Sequence, residues 1–65
     1  MKLSAYEVEV LAMLDGSGPE LPWGAAMGSA LEFLREDGLC TRGPHYQITG
    51  AGKMTLERLR KGEPS

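Results

Sequence analysis

Apolar residues recur along this chain in three blocks at helical spacing, separated by a Gly/Pro-rich gap and by a pair of short extended runs. In the first block Val8, Leu11, Ala12 and Leu14 fall three or four positions apart or adjacent, and Tyr6, Val10 and Met13 widen the stripe. That is the pattern of an amphipathic helix. Ser4 followed three residues later by Glu7 forms a capping box, and Leu3 is placed to staple the entry. Asp15-Gly16 supplies the stop, because glycine accepts the left-handed conformation at C′. These signals predict a helix over Ala5–Leu14.

Gly16, Gly18, Pro19 and Pro22 make the next segment a loop with room for no more than a short turn near 20–23. A second helix is predicted from the stripe Trp23, Met27, Ala30, Leu31 and Leu34, flanked by Ala26 and Phe33 and stopped by Asp37-Gly38. Its other face reads Ala25, Gly28, Ser29, Glu32, Arg35 and Glu36. A glycine inside a helix costs about 1 kcal/mol relative to alanine, so Gly24 and Gly28 predict a close approach there, by a neighbouring helix.

Leu39-Cys40-Thr41 and Tyr46-Gln47-Ile48 flank Arg42-Gly43-Pro44-His45, which reads as a hairpin with a four-residue turn. Pro44 has no N–H for a ladder and belongs in that turn. Thr49 is an N-cap for a last helix over Gly50–Lys61, with Gly52, Leu56 and Leu59 inward, Met54 alongside, and Glu57 and Lys61 forming a favourable i, i+4 pair. The expected core is Val8, Leu11, Leu14, Trp23, Met27, Leu31, Leu34, Leu39, Ile48, Leu56 and Leu59. The predicted fold class is α+β, a small α-α-β-β-α domain with a two-stranded hairpin packed on the helices.

Composition narrows the function. A chain of 65 residues, 42% hydrophobic and 25% charged, makes one domain over 1–65, with 62–65 read as a flexible tail. A domain of this size buries only about 60% of its unfolded surface and has little material to enclose a pocket of ~300 Å³. No enzyme is expected. His45 is the sole imidazole, with no nucleophile beside it and no third residue to orient it. Cys40 is the sole cysteine, so neither an internal disulfide nor a Cys-based zinc site can form, and beside Leu39 it reads as a small buried apolar residue. Glu32, Glu36 and Asp37 cluster, but mostly on a solvated helix face, and no metal or other cofactor is expected. Gly50-Ala51-Gly52-Lys53-Met54-Thr55 is not a phosphate-binding loop, because Gln47 and Met54 stand where that pattern needs Gly and Ser/Thr.

The first residues lack the apolar core of a signal peptide, and no run reaches the ~20 residues of a membrane span. A cytoplasmic location, no membrane contact and a complete small reading frame from Met1 are expected. Charge is uneven. Residues 1–38 hold Lys2 and Arg35 against Glu7, Glu9, Asp15, Glu20, Glu32, Glu36 and Asp37, whereas 39–65 hold Arg42, Lys53, Arg58, Arg60 and Lys61 against Glu57 and Glu63. Such asymmetry can mark a nucleic-acid surface.

The runs Ala30-Leu31-Glu32-Phe33-Leu34-Arg35-Glu36-Asp37-Gly38-Leu39, Tyr46-Gln47-Ile48-Thr49-Gly50-Ala51-Gly52 and Leu56-Glu57-Arg58-Leu59 resemble the recognition-helix-to-wing stretch of winged-helix proteins, notably MarR- and PadR-like regulators. In that family a helix ends in Asp/Gly-Leu, a hairpin wing follows, and a Tyr-x-Ile/Leu-Thr-x-x-Gly run opens the next helix. The resemblance covers nearly half the chain. Only the Gly16–Pro22 loop stands where the family has a further helix, so the helix-turn-helix is abbreviated. The resemblance implies a transcription-regulatory protein that binds double-stranded DNA. Arg42 and His45 at the wing tip, Lys53 and Arg58 behind it, and Arg35 and Ser29 on the helix face would be its contacts. The alternative is a protein–protein interaction module using the Ala25/Gly28/Ser29/Glu32 face, whose anions would repel phosphate. A homodimer, if formed, would have to use the first or the last helix.

Overall fold

A computed structural model of the chain describes residues 3–62. The expected flexible tail falls largely on 63–65, outside the described residues. Three helices follow one another, α1 (Ala5–Asp15), α2 (Ala25–Glu36) and α3 (Gly50–Arg60), and α1 packs against both of the others.

The ends of these helices form for local reasons. At the start of α1 the Ser4 N–H donates to Glu7 Oε1 at 2.8 Å and the Glu7 N–H donates to Ser4 Oγ at 3.2 Å, closing the capping box. Gly16, at φ 84°, turns the chain out, and the amides of Ser17 and Gly18 both donate to the Ala12 carbonyl at 3.1 Å. α2 ends in a Schellman motif. Gly38 is left-handed at φ 77°, its amide donates to Arg35 O at 2.9 Å, and the Leu39 amide donates back to Leu34 O at 2.9 Å. At α3 the Thr49 hydroxyl accepts from the Gly52 amide at 3.1 Å and donates to Gly38 O at 2.7 Å. One side chain therefore caps α3 and ties it to the end of α2.

At Gly52 the backbone of another segment excludes a side chain. A Cβ there would lie 2.2 Å from the Leu39 carbonyl oxygen and 2.7 Å from Ile48 Cγ1. The segment 39–48 thus lies directly on the first turn of α3.

The expected α+β winged fold is not what forms. Among the described residues there is no strand and no sheet; one antiparallel bridge, Cys40 to Ile48, stands in place of the two-stranded wing. The reason is in the hydrogen bonds. Thr41 N–H donates to Gln47 O at 2.8 Å and Thr49 N–H to Leu39 O at 3.0 Å, which frames one bridge. The reciprocal bond that would extend it is missing, because the Gln47 amide donates to the Thr41 hydroxyl at 2.9 Å. A side chain has replaced the ladder. On the other side the ladder runs into Gly38 and the cap of α3, and beyond Thr41 the chain bends through Gly43-Pro44, joined by a cis peptide bond. The protein is a small all-helical domain with a clasp between its second and third helices.

The core holds Leu3, Val10, Leu11, Met27, Ala30, Leu31, Leu34, Leu39, Cys40 and Leu56, with Ile48, Val8, Leu14 and Leu59 half-buried against it. One expected core residue lies on the surface. Trp23 is 62% exposed, because α2 begins after Gly24, whose backbone is extended; the helical periodicity runs on past the true start of the helix. Val10, which widens the expected apolar stripe of α1, is fully buried.

Candidate functional site

The outward face of α2 is shaped first by what it lacks. Ala25, Gly28, Ser29, Glu32 and Glu36 fall at i, i+3, i+4, i+7 and i+11, so they share one side of the helix, and all five are exposed. Phe33 and Tyr46 complete the lining of a shallow groove over this face, wide open to solvent. The close neighbour expected at the glycines is absent: nothing lies within 4 Å of where a Cβ of Gly28 or Gly24 would sit. Gly28 leaves a gap in the helix surface, and Gly24 is an N-cap outside the helix interior.

One wall of the groove is locked in place. Glu32 Oε1 pairs with Arg35 Nη2 at 3.0 Å and also accepts from its Nε at 3.1 Å. Glu32 Oε2 accepts from the Tyr46 hydroxyl at 2.9 Å. Tyr46 reaches α2 because its ring lies against Gly43, where a Cβ would come within 2.7 Å of the ring carbons. The 39–48 clasp thereby presents an aromatic side chain to α2. The Tyr46 hydrogen bond, then Arg35, hold the Glu32 carboxyl below its ordinary value, while the Glu32 carboxylate raises the Tyr46 phenol and the Arg35 guanidinium above theirs. Arg42 adds a weaker long-range attraction on Glu32.

Of the six residues expected to contact DNA, two stand on α2, two on the clasp and two on α3. Arg35 is held by Glu32. Ser29 lines the anionic groove with Glu32 and Glu36. Arg42 and His45 are exposed on the clasp. Lys53 and Arg58 are exposed on α3, five residues apart and so about 140° apart around the helix. Lys53 and Arg58 therefore do not share one face of α3.

Elsewhere, Cys40 is buried and donates its thiol to Leu31 O at 3.6 Å; burial, with Glu32 nearby, pushes its pKa up. It packs as the small apolar residue expected. A second depression is lined by Met13, Gly18, Glu20 and the exposed Trp23. Among the described residues no group of His, Cys, Asp and Glu could hold a metal ion, and no helix is long and apolar enough to cross a membrane. The residue that sequence reasoning leaves out of the site is Tyr46. The sequence presents it only as a strand residue, and no local signal marks its reach to Glu32, which lies 14 residues earlier. A scan of protein-family models and searches of curated proteins and of solved structures each return no match.

Proposed function

We propose that this chain is a protein-contact module and that the groove over α2 is its contact surface. The observation that carries the reading is the Glu32–Arg35–Tyr46 arrangement. It neutralises the cation on this face and leaves Glu36 without an ion pair among the described residues, beside a surface nearly free of side chains. Such a face suits an incoming segment that brings its own side chains and positive charge, and it repels a phosphate backbone. The divergence of Lys53 and Arg58 around α3 also argues against a duplex-binding role, since phosphate affinity rests on several Lys and Arg acting over one surface.

The test is an amide-resolved NMR titration with two probes at low salt, generic duplex DNA and a helical peptide rich in Lys. The peptide is expected to shift Ser29, Glu32 and Glu36, and the duplex to leave the spectrum unchanged. Saturable, salt-sensitive shifts of Arg42, Lys53 and Arg58 with duplex, and none with peptide, would return the protein to the DNA-binding reading.

A further inference from the structure

The exposed faces of α2 and α3 match each other, although within one copy each of these helices packs against α1. On α3 and its C-cap, Ala51, Met54, Arg58 and Lys61 fall at i, i+3, i+7 and i+10. They share one side of the helix, and all are exposed. Met54 is 57% exposed, and among the described residues only Trp23 is another large hydrophobic so exposed. Arg58 and Lys61 have no ion pair among the described residues. On α2 the corresponding order is Ala25, Gly28, Glu32 and Glu36.

We propose that α3 of a second copy of this chain lies along the α2 groove, the two helices running in the same direction. Ala51 then faces Ala25, Met54 enters the gap over Gly28, Arg58 meets Glu32, and Lys61 meets Glu36. Each step uses chemistry on both sides. Met54 is long, flexible and polarizable, suited to filling an irregular gap, and Gly28 has no atom within 4 Å of its missing Cβ. Glu32 already accepts from Arg35 and Tyr46, but a carboxylate offers about four acceptor sites, so Arg58 completes its shell. The reverse orientation places Met54 towards the anions and the cations towards Ala25, losing both matches. This inference rests on the reading of α2 as a contact surface and names its occupant. One helix pair is a small interface, so the association is weak and reversible. Each copy carries both halves. A pair that closes on itself makes the contact twice, and one that does not close grows with concentration.

Sedimentation velocity over a concentration series tests it, with Glu36→Lys and Lys61→Glu as single variants. Both positions are exposed, so the fold survives, which matching amide spectra verify. The wild type is expected to self-associate and to lose that association as salt rises. Each variant alone should associate at least about tenfold more weakly. An equimolar mixture of the two should regain it. There the reversed charge of the Glu36→Lys chain meets the reversed charge of the Lys61→Glu chain, while the native pair forms the second contact. Wild type that stays monomeric, or association that ignores both variants, overturns the proposal. If monomeric wild type still responds to the basic peptide on α2, only the second-copy occupant falls; if it does not, the contact-surface reading falls with it.

Discussion

α2 and α3 are helices of 12 and 11 residues, each with one buried side and one bare side, and they solve the inward and outward problems differently. Inward, α2 buries four side chains, Met27, Ala30, Leu31 and Leu34, whereas α3 buries Leu56 and a glycine. Outward, α2 shows small residues and anions, and α3 shows a methionine and cations. Gly52 and Gly28 sharpen the contrast. Gly52 exists because the Leu39 backbone occupies the place of its side chain, while nothing occupies the place of Gly28's. A glycine inside a helix is unfavourable in either case. Gly52 is explained by packing within the chain, and Gly28 is not.

That contrast can be broken first at the core. Leu31→Ala or Leu34→Ala should cost about 2–5 kcal/mol, since both are fully buried and truncation leaves a cavity; urea denaturation reads this directly. Leu59→Ala, on a half-buried α3 position, should cost clearly less. Next come the glycines. Gly52→Ala places a Cβ 2.2 Å from Leu39 O, and forced shifts of this kind cost about 1–3 kcal/mol. Gly28→Ala should instead stabilise by up to about 1 kcal/mol, while weakening any partner that fills the gap. If both substitutions destabilise equally, the distinction between the two helices is lost. Thr49→Ala should cost about 1 kcal/mol by removing the cap of α3, whereas α2, whose N-cap Gly24 makes no side-chain bond, has no such cap to lose.

The smallest effect is electrostatic. The lowered Glu32 carboxyl contributes stability that is present above its ordinary value and is lost as pH falls through the lowered one. The raised Tyr46 phenol contributes below its ordinary value, and that contribution is lost as pH rises through the raised one. Tyr46→Phe should therefore move the Glu32 titration, followed by carboxyl-carbon NMR, back up towards an ordinary carboxylate. The stability difference between Tyr46→Phe and wild type should shrink at both the acid and the alkaline ends.

The three helices are legible because their ends are written in short-range chemistry. Ser4 with Glu7, Gly16, Gly38 and Thr49 act within a few residues of themselves, and each does what its type dictates. The inward stripe of α2 is legible for the same reason. The wing is not, because the alternation in Leu39–Thr41 and Tyr46–Ile48 does not reveal that the Thr41 hydroxyl takes the Gln47 amide. Trp23 is misplaced by periodicity because the helical pattern continues through Gly24 while the backbone does not. Of the site, the α2 residues are visible from the sequence, but the clasp that brings Tyr46 to Glu32 depends on a turn around Gly43 that no local pattern reports.

In the proposed pair the bare faces of α2 and α3 are two halves of one contact. An amide-resolved NMR dilution series on the wild-type chain tests it most directly. Gly28, Ser29, Glu32 and Glu36 should shift together with Ala51, Met54, Arg58 and Lys61 as concentration rises, along one binding curve. A spectrum that does not change with concentration, or shifts centred on Trp23 and Met13 instead, would contradict it.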